Sequence, residues 1–185
     1  TDTGGGLRAF FCSSNGPMVD MGTLGGTRTY VYDINNSGQA VGYSRTTNDS
    51  FNHAFLYSNG SMTDLGTLGG DLSEAHGINN HGQVVGVSSG GPVHAFLYSD
   101  GSMTDLNTLC DPGPWWRLVE ANAINDYGQI VGLALSDYEG GKLFLLTPFR
   151  TLFTRRVGTN LAMYWFTNAP TPLSLFQSSS LTSPN

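Results

Sequence analysis

Apolar and polar residues alternate over short stretches of this chain, and a turn rich in Gly, Asn and Asp bounds most stretches. A period of two is the mark of β-strands. The stretches also repeat. His53-Ala54-Phe55-Leu56-Tyr57, Asn59-Gly60 and Met62-Thr63-Asp64-Leu65 return as His94-Ala95-Phe96-Leu97-Tyr98, Asp100-Gly101 and Met103-Thr104-Asp105-Leu106. A weaker copy is Arg8-Ala9-Phe10-Phe11, with Asn15-Gly16 and Met18-Val19-Asp20-Met21, and Leu143-Phe144-Leu145-Leu146 is a last fragment. A second motif lies between the copies: Ile34-Asn35-Asn36-Ser37-Gly38-Gln39, Ile78-Asn79-Asn80-His81-Gly82-Gln83 and Ile124-Asn125-Asp126-Tyr127-Gly128-Gln129. Each is followed by a Val-Gly pair, at Val41-Gly42, Val85-Gly86 and Val131-Gly132.

Asn-Gly and Asp-Gly tolerate the positive φ angles of a tight hairpin, so they predict one turn per unit. The Asn-x-x-Gly segments predict a second, with Gly38, Gly82 and Gly128 in the left-handed position. Four strand positions follow. Position a ends at Ile-Asn, b is Gln-x-Val-Gly, c is His-Ala-Phe-Leu-Tyr, and d runs from Met through Asp-Leu-Gly-Thr-Leu. The expected fold is all-β, with antiparallel four-stranded meander repeats in a β-propeller-like arrangement. The repeat domain spans 1–150, with units at about 7–51, 52–92 and 93–141 and a partial unit at 142–150.

His-Ala-Phe, Asp-Leu-Gly-Thr-Leu-Gly-Gly and Ile-Asn-x-x-Gly-Gln-Val-Val-Gly resemble the bacterial HAF-type extracellular repeats over about residues 7–150, most closely at 53–88. The resemblance implies an exported bacterial protein with a propeller-like fold, and it carries over no catalytic residues. The chain departs from the pattern at Arg8, which replaces His, at Asn107 and Cys110, which replace Gly, and in an insertion at 111–118. It also departs throughout 151–185.

The repeats begin in mid-unit, at position c, and end in mid-unit. A ring closed on one chain would hold about three blades, fewer than the usual four to eight. Open strand edges seek partners, so a homo-oligomer that completes the ring is expected. The alternatives are that residues of the tail add strands, or that the sequence is a piece of something longer. Within the tail, Leu161-Ala162-Met163-Tyr164-Trp165-Phe166 suits a strand or a docking segment, and a flexible end is expected after about residue 176.

Composition narrows the function classes. Charged residues make up 12% of the 185, about half the usual share. Residues 1–149 hold all 14 acids and five basic groups, while 150–185 hold three Arg and no acid. So acidic a body is a poor nucleic-acid binder, because phosphate contacts need clustered cations. No apolar run approaches the ~18 residues of a membrane span. Cys12 and Cys110 form no CxxC pair, which leaves a long-range disulfide or two buried thiols. No nucleophile elbow, Walker loop or GxGxxG after a strand is present.

Repeated residues are expected to serve the scaffold. His53 and His94 suit a packing or hydrogen-bonding task, and Asp20, Asp64 and Asp105 suit turns. Residues that break the repeat are the better candidates. Cys110-Asp111-Pro112-Gly113-Pro114-Trp115-Trp116-Arg117-Leu118 replaces a short Gly-Gly loop. Trp115 and Trp116 offer flat faces on which sugars stack, or else anchors for an interface. Arg117, Tyr138 and His76 complete the candidate ligand-binding set. In an a-b-c-d meander the d–a and b–c loops leave from one end. That end would collect Asp111, Asp137 and Glu139, with Glu74 and Glu120 at the starts of two a positions. Paired carboxylates there would suit glycoside hydrolysis, and five acids on one face would suit Ca²⁺. The leading expectation is a secreted, extracellular binding or structural module that engages carbohydrate or another surface polymer. The rivals are a glycoside hydrolase and a pure assembly module. No cofactor is otherwise implied.

Overall fold

The computed structural model describes residues 6–12 and 14–148, with the strand backbones of 152–157, 160–165 and 173–175. It opens with a hairpin of β1 (Phe10–Cys12) and β2 (Met18–Asp20). A first four-stranded sheet follows, from β3 (Gly25–Ile34), β4 (Ala40–Thr46), β5 (Asn52–Ser58) and β6 (Ser61–Asp64). The second has β7 (Leu72–Ile78), β8 (Val84–Ser89), β9 (Val93–Ser99) and β10 (Ser102–Asp105). After a one-turn helix, α1 (Leu106–Leu109), the third sheet has β11 (Trp116–Ile124), β12 (Ile130–Ser136) and β13 (Gly140–Pro148). From β3 to β13 each strand pairs antiparallel with its sequence neighbours within its sheet, so the all-β meander expected from the repeats is present. No helix is long and apolar enough to cross a membrane among the described residues.

The tail adds a hairpin of β14 (Leu152–Val157) and β15 (Asn160–Trp165). It also adds β16 (Leu173–Leu175), which pairs with β13 in the fourth position of the third sheet. The segment expected to be flexible, after about residue 176, lies outside the described residues.

The turn chemistry behaves as the sequence predicts. Asn59-Gly60 and Asp100-Gly101 have positive φ at both residues and link strands with no intervening residue. Gly38, Gly82 and Gly128 sit at φ +73, +77 and +75. Asn15-Gly16 lies in a longer loop, since Cys12 pairs with Met18. Position d is shorter than expected. It stops at Asp64, whose Oδ1 accepts the Gly66 N–H at 2.8 Å and turns the chain away. At Asp105 the same carboxylate caps α1 by accepting from Asn107 N–H.

Alternate residues point to opposite faces, and both faces of the middle sheet are buried. Val41, Ala54 and Leu65 of the first sheet pack against Ala75, Ile78, Val84 and Phe96 of the second. Val85 and Ala95 of the second pack against Leu118, Ile130, Phe144 and Leu146 of the third. Met21, Ala40, Phe55 and Tyr57 close the first sheet onto the opening hairpin. A ladder of amides ties the a–b turns together. Asn35 Nδ2 donates to Asn79 O at 3.0 Å, and Asn79 Nδ2 donates to Asn125 O at 3.1 Å.

The cysteines are not bridged. Cys12 lies exposed on β1, so it is not the buried thiol of the second expectation. Cys110 ends α1, where Sγ donates to Leu106 O at 3.3 Å and burial pushes its pKa up to about 11.

Candidate functional site

Every a strand carries the same irregularity. In β3 the pairing skips from Val31 to Asp33, in β7 from Ala75 to Gly77, and in β11 from Ala121 to Ala123. Tyr32, His76 and Asn122 are therefore extra residues, each in a β-bulge that bends the strand and re-aims side chains. The Val-Gly pair of position b explains itself here. A Cβ on Gly42, Gly86 or Gly132 would stand within about 2 Å of the carbonyl oxygen of Tyr30, Glu74 or Glu120, closer than any carbon and oxygen can pack.

Two residues before each bulge position stand Tyr30, Glu74 and Glu120. Aligned on Ile-Asn, the three strands read Tyr-x-Tyr, Glu-x-His and Glu-x-Asn. These side chains meet across the sheets. His76 Nδ1 lies 3.4 Å from Glu120 Oε1, and His76 Nε2 lies 3.9 Å from Glu74 Oε2. The Tyr32 ring stands edge-on to His76 at 5.6 Å, and the Tyr30 and Tyr43 rings stack at 4.8 Å. Amides hold the carboxylates: Asn52 Nδ2 donates to Glu74 Oε1 at 3.3 Å and Asn122 Nδ2 to Glu120 Oε1 at 3.0 Å. Glu74, His76 and Glu120 are half-buried, while Tyr32 is 51% exposed. Burial pushes the Tyr43 phenol up to about 12, helped by Tyr32 and by the negative charge of Glu74. Burial and Glu74 also raise Tyr32.

The structure thus divides the sequence candidates. Glu74, His76 and Glu120 converge. Asp111, Asp137 and Glu139 do not contact one another. Asp111 Oδ1 accepts from Gly113 N–H at 2.8 Å, Glu139 pairs with Lys142, and Asp137 is exposed with no ion pair among the described residues. Trp115 is 62% exposed and meets the more exposed Tyr138 edge-on at 5.2 Å. Trp116 packs against the third sheet's core, under Lys142 Nζ at 4.5 Å from its ring centroid. Arg117 faces solvent. Among the described residues, no group of His, Cys, Asp and Glu side chains could hold a metal ion.

Tyr30, Tyr32, Tyr43, Asn52 and Asn122 escaped the sequence reading. Aligning the units on Ile-Asn would have found the first two and Asn122, since they share columns with Glu74, His76 and Glu120. The repeated polar residues, by contrast, serve the scaffold. His53 Nδ1 bonds Asp64 at 2.9 Å, His94 Nδ1 bonds Asp105 at 2.5 Å, and Arg8 Nη2 bonds Asp20 at 2.6 Å. Arg8 therefore keeps the cross-strand pair that its neighbours make with His.

No family model, curated protein or solved structure matches this chain.

Proposed function

We propose that this chain is a carbohydrate-binding module of an exported protein, with its sheets set side by side in a propeller-like manner, as in the HAF-type extracellular repeats that its motifs resemble. One observation carries the reading. Three consecutive a strands are held to the same bulged backbone, yet the side chains they present there differ from unit to unit and join into one polar, aromatic surface. A scaffold repeat has no need of that variation. Exposed tyrosine faces supply apolar area for the flat side of a sugar ring, while carboxylates and amides supply directed partners for hydroxyls. Trp115 and Tyr138, which meet edge-on, offer a second exposed aromatic pair for a sugar.

The hydrolase reading is weaker on this geometry. Glycoside hydrolysis needs two carboxyl groups facing each other across the scissile bond. Here the His76 ring stands between Glu74 and Glu120 and approaches both.

A panel of soluble and insoluble polysaccharides tests the proposal. Binding should be measurable by titration calorimetry or co-sedimentation. Tyr32→Ala and Glu74→Gln should each weaken it by about 1–3 kcal/mol, as for other anchors at a binding surface. No glycan should release reducing ends. If Trp115→Ala abolishes binding while Tyr32→Ala and Glu74→Gln leave it intact, the site is the loop and this assignment is wrong. Release of reducing sugar that is lost in Glu120→Gln would replace it with the enzyme.

A further inference from the structure

We infer that the outer face of the third sheet binds the inner face of the β1–β2 hairpin of a second copy of this chain, head to tail. The repeat itself identifies the two surfaces. Val41 and Val85 occupy the same position in the first and second sheets, and each is fully buried by the sheet that follows. Val131 is their equivalent in the third sheet and is 43% exposed. On the neighbouring strand, Leu145 stands where Leu56 and Leu97 pack against the following sheet, and it too is exposed. The third sheet therefore ends in an apolar face built to receive another unit.

The opening hairpin carries the matching face. Phe55 and Phe96 are fully buried against the preceding unit, and Met62 and Met103 pack beside them. Their equivalents Phe10 and Met18 are 52% and 69% exposed. Within one chain these faces do not meet. Ala9, Met21 and Leu24 fix the hairpin onto the first sheet, at the other end of the stack. The amide ladder is open at the same end as the third sheet. Asn36 and Asn80 donate their N–H to the next unit at 2.9 and 2.8 Å, while Asp126 N–H meets no such acceptor among the described residues. Two unlike faces that fit each other make a heterologous contact, which closes into a ring or continues as a chain of copies.

Two single-chain-exposed positions give the test. Phe10→Asp disables the head and Leu145→Asp disables the tail; both positions are about half exposed in the lone chain, and neither side chain makes a hydrogen bond. Wild-type protein should show at least twice the chain mass by sedimentation or light scattering, rising with concentration. Each variant alone should run as a monomer with an unchanged circular-dichroism spectrum. An equimolar mixture of the two should regain a dimer, because one intact head still meets one intact tail. Val131→Asp should reproduce Leu145→Asp. A monomeric wild type, variants that keep the wild-type mass, or a mixture that stays monomeric would each overturn the head-to-tail contact. Polysaccharide binding by the monomeric variants is a separate readout, since Tyr32, Glu74 and His76 lie on neither face.

Discussion

The candidate site consists of residues whose neighbours, more than their identities, set their chemistry. Tyr43 illustrates this. Its hydroxyl is partly desolvated beside Tyr32 and Glu74, so its pKa rises from the ordinary 10 to about 12. The folded phenol thus keeps its proton between those values while the unfolded one loses it. The resulting stabilisation is fully present below about pH 10 and is lost as pH rises through about 12. A spectrophotometric titration should show one tyrosine ionising late, near pH 12, with the step absent in Tyr43→Phe and earlier in Glu74→Gln. A late step that survives in Tyr43→Phe belongs to another residue. The carboxylates and His76 were legible in the sequence because charged groups on a strand stand out. The tyrosines were not, because a tyrosine in a β-strand reads as ordinary packing until its neighbours across the sheets are known. Asp111 and Glu139 misled for the opposite reason. Sharing one end of the meander does not bring loop acids together when a backbone N–H and Lys142 already satisfy them.

Strands and turns were largely legible, since period two and Asn-Gly or Asn-x-x-Gly spacing fix them locally. The bulges were not. Their only trace is the Val-Gly pair, which reads as ordinary strand sequence until the carbonyl opposite it is located. That contact gives a sharp prediction. Gly86→Ala would place Cβ 2.0 Å from Glu74 O, so the β7–β8 pair must separate. The cost should be about 3 kcal/mol or more, at the upper end of overpacking effects. Gly60→Ala is the control. Its φ of +80 strains an L residue, but nothing lies within 4 Å of the added Cβ, so a loss of about 1 kcal/mol is expected. Urea midpoints of the two variants decide it. Equal losses would mean that the bulge tolerates spreading and does not hold the a strands in their shared geometry.

At the scale of the whole molecule, stability comes from units stacked on units, so each interior unit depends on both neighbours. Sequence repeats announce this stacking but not its polarity, because the residues that cross between units are the same ones that close the turns. Asn79 shows both duties. Its Oδ1 accepts from His81 and Gln83 N–H at 3.0 Å, and its Nδ2 donates to Gln83 Oε1 and, across the sheets, to Asn125 O. Asn125 makes the same turn contacts, with Tyr127 and Gln129, but its Nδ2 crosses to no further unit among the described residues, and it is exposed where Asn79 is buried. The two residues therefore separate turn closure from stacking. Asn125→Ala removes turn bonds that water replaces. Asn79→Ala removes the same bonds at a buried turn, where water replaces them less well, and also cuts the crossing bond to Asn125 O, so it should cost more by about 1–2 kcal/mol. Asn35→Ala should follow Asn79, because Asn35 is also buried and also crosses to the next unit. Chemical denaturation of the three variants, at a concentration where Leu145→Asp is monomeric and in that background, measures the difference without contribution from self-association. Equal losses at Asn35, Asn79 and Asn125 would show that the amides only close turns and that the apolar faces alone hold the sheets together.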